Sequence, residues 1–178
     1  MDKIGVFCSA AADLPASYTQ AAKDLGTWIG QNHKTLVYGG TWKGLMGVIG
    51  MACKEAGGQL YGIYPHYMEG KGFIETELDV CFPTAGLADR KDLLILNSDV
   101  LVALPGGIGT LDEALTTMGM AAAGEMDKQI IFLNVDGFWQ PVIDFMEQLH
   151  RMGMLRHEPG HYFQVAGSVE ELIKMITD

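Results

Sequence analysis

The residues best able to do chemistry stand in one run, Pro105-Gly106-Gly107-Ile108-Gly109-Thr110-Leu111-Asp112-Glu113. Glycines directly after an apolar stretch let a backbone approach a phosphate, whose charge is met by unpaired amides at the next helix start. A carboxylate such as Glu113 beside that loop is unfavourable unless it faces a neutral or cationic part of the ligand. A sugar hydroxyl, an attacking water or a developing oxocarbenium cation would each suit it. The spacing Thr110-x-x-Glu113 is also that of a capping box, in which the glutamate would simply close a helix start. Upstream, Arg90 and Lys91 are adjacent cations near the start of a predicted helix, between Asp89 and Asp92. Cations there oppose the helix dipole. The pair is either a solvated charge cluster or a local rule broken for function.

A second glycine cluster, Gly39-Gly40-Thr41-Trp42-Lys43-Gly44-Leu45-Met46-Gly47, follows the apolar Thr35–Tyr38. Neither cluster fits the common nucleotide fingerprints. Asp112 stands where a dinucleotide fold would have its third glycine, and the Gly39–Gly47 cluster lacks the Gly-Lys-Ser/Thr of a P-loop. Dinucleotide cofactors and ATP hydrolysis are demoted accordingly. In an open α/β sheet, ligands bind beyond the carboxyl ends of the strands, where strand order reverses. Two glycine clusters at strand ends therefore favour a ligand site over a pair of tight turns.

Elements that would position these residues alternate along the whole chain. Strands are predicted at Ile4–Cys8, Thr35–Tyr38, Leu60–Tyr64, Val100–Leu104, Ile130–Asn134 and near Tyr162–Val165. Helices are predicted at Ala16–Gly30, Leu45–Ala56, Leu87–Leu96, Leu111–Ala123, Trp139–Arg151 and Val169–Ile176. The strands are apolar at consecutive positions, as in a parallel sheet covered on both faces. Strand–helix alternation with right-handed crossovers gives a single doubly wound, Rossmann-like α/β domain over 1–178, with expected strand order 3-2-1-4-5-6. Pro65 to Gly86 reads as a long, polar, partly mobile connection of the kind that often forms a binding lid.

Composition narrows the class further. The chain has 178 residues, 48% hydrophobic and 19% charged, an ordinary globular balance. A net charge of −10 works against nucleic-acid binding, which needs a basic face. It leaves room for a small anion held by local amides and one or two cations, because salt screens more distant charge. Cys8, Cys53 and Cys81 are dispersed, which fits a reducing, cytoplasmic setting and offers neither disulfide framework nor zinc site. No apolar run approaches the length needed to span a bilayer, so no membrane association is expected. His33, His66, His150, His157 and His161 show no metal-ligand spacing on one helix, so no metal is expected. The eleven methionines read mainly as packing on helix faces.

Taken together, these pieces resemble the Lonely Guy family, cytokinin-activating phosphoribohydrolases often labelled "possible lysine decarboxylase". Pro105 to Glu113 matches the family's P-G-G-x-G-T-x-x-E without a gap, and Arg90-Lys91 matches its arginine–lysine pair. Tyr38-Gly39-Gly40 through Gly44-Leu45-Met46-Gly47 matches Y-G-G-G-x-x-G-L-M-G except at Thr41. Val6-Phe7-Cys8-Ser9 and Leu133-Asn134-Val135-Asp136-Gly137-Phe138 are similar as well. The resemblance implies hydrolysis of the N-glycosidic bond of a nucleoside 5′-monophosphate, releasing base and ribose 5-phosphate without a cofactor. It further implies that Gly106, Gly107, Gly109 and Thr110 hold the phosphate while Arg90 and Glu113 are catalytic. Ser9, Gly39, Gly40 and Lys91 would be further substrate contacts, and the protein would pair as a homodimer through the helix after the motif.

Some positions depart from the family. Met120, Ala122 and Met126 stand where a tryptophan, a glutamine and a histidine are frequent, and Gln129 replaces a proline. Leu87 replaces a methionine, and Thr41-Trp42-Lys43 a smaller stretch. These departures would lie near the base pocket or the dimer contact and leave the base open between adenine and an N6-modified adenine. Decarboxylation would need a Schiff-base lysine with pyridoxal phosphate. Lys43, Lys91 and Lys128 are the nearest candidates, and none has that context. The other class to weigh is a non-catalytic carrier of a phosphate-bearing cofactor on the same fold, similar to molybdenum cofactor carriers.

Overall fold

Short runs such as Ile130-Ile131-Phe132-Leu133 carry large apolar side chains at every position, and the core accepts both faces of the strand. The computed structural model describes residues 1–177. Seven strands, β1 Lys3–Phe7, β2 Thr35–Tyr38, β3 Gln59–Pro65, β4 Val80–Thr84, β5 Val100–Ala103, β6 Ile130–Leu133 and β7 Phe163–Ala166, form one sheet in the order β4-β3-β2-β1-β5-β6-β7. Every neighbouring pair is parallel. Side-chain alternation splits each central strand between two layers. Ile4, Val6, Val100 and Val102 face one core with helices α1 (Ala16–Gln31), α2 (Gly44–Glu55) and α6 (Val169–Thr177). Phe7, Leu101, Ala103 and Phe132 face the other with α3 (Leu87–Leu96), α4 (Ile108–Ala123) and α5 (Gln140–Arg151).

The six expected strands lie in the expected order. The seventh, β4, falls inside the segment read as a polar connection, so that expectation is corrected. Pro65–Gly86 holds a 3₁₀ helix, His66–Lys71, and then β4 at the sheet edge. An edge strand buries only alternate residues, and Val-Cys-Phe-Pro-Thr, with a proline inside, lacks the apolar run that marks a central strand. The stretch before β4 is fastened to the Gly39–Gly47 cluster. Trp42 N–H donates to the Phe73 carbonyl at 3.3 Å and Glu75 N–H to that of Gly40 at 2.8 Å. Thr41 and Ile74 form an antiparallel bridge, and the Trp42 indole N–H donates to Gly72 O at 2.9 Å.

β1 and β5 are the strands at which chain order reverses, and their carboxyl ends are stitched together. Ser9 N–H donates to Pro105 O at 3.3 Å, Leu104 N–H to Phe7 O at 2.9 Å, and Leu45 N–H to Ser9 O at 2.9 Å. The crest between β1, β2 and β5 is thereby fixed for the loops above it. Below it, fully buried Trp139 donates its indole N–H to Ala103 O at 3.1 Å and packs on Phe132.

Candidate active site

A cleft of about 240 Å³ opens on this crest, lined by Cys8, Ser9, Ala10, Met46, Arg90, Gly107, Gly109, Thr110 and Glu113. One wall is the start of α4. Gly107 is the N-cap and makes no side-chain cap bond, and the first amides of a helix have no intrahelical acceptor. Gly107 and Gly109 face open space: a Cβ added at either would meet nothing within 4 Å. Gly106 is different, because a Cβ there would overlap buried Thr110, so the loop folds down onto that side chain. The result is a bare amide rim with the positive end of a sixteen-residue helix behind it.

Because α4 starts at Ile108, Thr110 and Glu113 both lie within the helix and the capping-box reading does not hold. Glu113 instead turns inward to Arg90, whose Nη1 donates to its Oε1 at 2.5 Å. Only 15% of the arginine and 8% of the glutamate side chain are exposed. Arg90 Nε donates to Ile63 O, at the end of β3, at 3.0 Å. Burial raises the Glu113 pKa above the ordinary glutamate range; the Arg90 charge opposes this without cancelling it. The carboxyl is therefore poised to exchange a proton closer to neutrality than a surface glutamate. Burial likewise pushes the Cys8 thiol far up, with Glu113 adding to the effect. Cys8 stays protonated and is no nucleophile, although it lines the same cleft.

Lys91, one residue on, points to the outer side of the same helix pair. Its Nζ lies 2.9 Å from an Asp112 oxygen and 3.1 Å from Thr116 Oγ1. Both cations of α3 thus find carboxylates on α4, which compensates their place near a helix start. Lys91 ties the helices together but does not line the cleft. Gly39 and Gly40 also lie outside the lining: Gly39 borders Arg90, and Gly40 packs on Gly62 and Tyr64. Ser9 lines the cleft, with its hydroxyl accepting from Ala11 N–H at 3.0 Å. Sequence reasoning did not single out Cys8, Ala10 or Met46 as lining residues. Position at the carboxyl end of β1 and in the first turn of α2 was the available signal.

An adjoining apolar lobe of about 270 Å³, between Leu14, Tyr18, Pro105 and Phe138, shares Ser9 and Gly107 with the cleft. Four of the departures from the family lie elsewhere. Ala122, Met126 and Gln129 border a separate cleft at the far end of α4 with Arg156, His157 and His161, while Met120 packs against the core. Lys43 sits over the Phe73 ring and Lys128 donates to Ile95 O, so neither enters the cleft. Among the described residues no group of three or more histidine, cysteine or acidic side chains is placed to hold a metal. Nor is any helix there long and apolar enough to cross a membrane.

Known proteins share this fold. Residues 46–176 match the family described as possible lysine decarboxylase. A cytokinin riboside 5′-monophosphate phosphoribohydrolase of Arabidopsis thaliana is 33% identical over 174 residues, covering 98% of this chain and 76% of the relative. A rice (Oryza sativa subsp. japonica) protein of the same name is 31% identical over 171 residues, covering 96% and 71%. Among solved structures, a molybdenum cofactor carrier protein from Chlamydomonas reinhardtii is 26% identical with a TM-score of 0.75, covering 98% of this chain and 94% of that one. A structural-genomics protein, 25% identical with a TM-score of 0.76, covers 99% of both chains. With the full motif, the Arg90–Glu113 pair and these relatives in hand, the chain belongs to the Lonely Guy family, whose members carry the description "possible lysine decarboxylase".

Proposed function

We propose that this protein hydrolyses the N-glycosidic bond of a nucleoside 5′-monophosphate. The observation that carries the reading is the buried Arg90–Glu113 pair facing the bare amide rim of α4 across one small cleft. The rim (Gly106, Gly107, Gly109 and Thr110) takes the 5′-phosphate, which sets the ribose over Glu113. As the C1′–N bond breaks, positive charge builds on the ribose ring, and the Glu113 carboxylate stabilises it and orients a water. The water oxygen bonds to C1′, the bonding pair leaves with the base, and the water's proton passes through Glu113 to the base nitrogen. Arg90 stays charged throughout and donates to ribose oxygens or to the departing base. Ser9 supports the ligand from the β1 side.

Incubation with AMP and with isopentenyladenosine monophosphate, followed by chromatography, tests this. Free base and ribose 5-phosphate should appear in equal amounts from at least one of the two. The likeness to molybdenum cofactor carriers supports a second reading, a non-catalytic carrier. Tight nucleotide binding with no base released from either compound would favour it. We also read α4 as the seat of a second copy of the chain. Of the run Met118–Ala123, Met118 and Ala121 turn into the core, while Ile108, Leu115, Gly119 and Ala122 are exposed along one helix face. Sizing chromatography should give the mass of a dimer, and Leu115→Glu should give that of a monomer.

A further inference from the structure

The Arg90 guanidinium is held on two sides by hydrogen bonds and on its third by the absence of an atom. Nε is fixed to Ile63 O at 3.0 Å and Nη1 to Glu113 Oε1 at 2.5 Å. Nη2 occupies the space beside Gly39, just past β2, that a side chain there would fill. A Cβ placed there would lie 2.5 Å from Nη2 and 2.7 Å from Met46 Sδ, closer than real Cβ contacts come. Gly39 does not adopt the left-handed backbone that marks Gly40 and Gly44, so alanine is conformationally acceptable and only its neighbours object. The two neighbours differ in their freedom to move. Met46 ends in a flexible thioether that can swing aside. Arg90 cannot retreat without stretching the bond to Ile63 or the pair with Glu113.

We propose that Gly39 is a positioning residue for Arg90: its missing side chain seats the guanidinium against Glu113, and it does not act by touching the ligand. The inference rests on the assignment of Arg90 and Glu113 to catalysis, but the seat itself is a property of the fold. Restoring ordinary contact needs a shift of the guanidinium on the order of 1 Å, a misplacement that can cost about a hundredfold in rate. Gly39→Ala should therefore lower kcat on whichever of the two nucleotides is cleaved by about 10- to 100-fold with little change in KM. It should also move the Glu113 limb of the pH–rate profile upward, because the opposing positive charge has been displaced.

A double-mutant cycle in unfolding, Gly39→Ala against Arg90→Ala, tests the seat without needing turnover. Gly39→Ala should destabilise the protein when Arg90 is present and have little effect when it is alanine. Additive effects would overturn the proposal. So would full recovery of stability and kcat in Gly39→Ala/Met46→Ala, since the methionine would then be the only obstacle. If Gly39→Ala alone does not fold, Gly39→Ala/Arg90→Ala should; failure of both variants to fold would also overturn it. A protein that shows the coupling but cleaves no nucleotide refutes the proposed reaction and leaves the seat standing.

Discussion

The two glycine clusters look alike in the sequence and do opposite things in the fold. After β2, glycine makes room for protein. A Cβ at Gly47 would strike the Trp42 carbonyl, one at Gly44 would strike Ser9 to Ala11, and Gly44 also needs its left-handed backbone. The amides there are spent internally, Leu45 on Ser9, Trp42 on Phe73 and Gly47 on Lys43. After β5, Gly107 and Gly109 border nothing, and the amides at the start of α4 are left for a ligand. A glycine-rich loop therefore marks a cradle only where its amides are unspent. The other kind is a joint that brings two elements into contact.

The largest test of this division lies one turn past the open loop. Glu113→Gln should lower kcat by roughly 10²- to 10⁴-fold, the usual worth of an acid–base group, with nucleotide binding retained in calorimetry. An unchanged kcat would remove Glu113 from the chemistry. Next in size, Gly47→Ala should destabilise folding by about 1–3 kcal/mol or more, as overpacking against backbone does, read as a lower denaturant midpoint. Gly109→Ala should do the reverse, weakening competition by inorganic phosphate several-fold with no loss of stability. If Gly109→Ala unfolds the protein and Gly47→Ala does not, the division fails.

A smaller effect concerns pH. Glu113 titrates higher folded than unfolded, so the folded state binds the extra proton in the interval above the ordinary glutamate value. Its contribution to stability is complete below that interval and is lost as pH rises through the folded value. Relative to wild type, Glu113→Gln should gain stability across that rise, measured by guanidinium unfolding at stepped pH. The smallest effect belongs to the outer ion pair. Lys91→Ala should cost under about 1 kcal/mol, because Asp112 is half-exposed and such pairs contribute little.

Much of this was legible before the fold. Consecutive apolar residues in β1, β2, β5 and β6 report burial on both faces and so the class, while the order of six strands was an expectation from strand–helix alternation with right-handed crossovers that the sheet bears out. β4 was not legible, because a half-buried edge strand with Pro83 inside has no pattern to distinguish it from a loop. Arg90 stood out with Lys91 as a cation near a helix start, and Glu113 as a carboxylate beside a phosphate loop. Sequence spacing kept the capping box open, and only the α4 start at Ile108 closes it. The inner role of Arg90 and the outer role of Lys91 were not separable from adjacent letters. A helix turns about 100° per residue, and which side meets α4 depends on how α3 packs.

The reach of Arg90 has one more consequence. From its place on α3 it bonds to the end of β3, pairs with α4 and leans on the end of β2. Four segments distant in sequence are thus closed by one planar group, and none can open far without releasing the others. Amide hydrogens along this crest should therefore exchange with solvent as one cooperative unit, protected together when the cleft is filled and exposed together when Arg90 is removed.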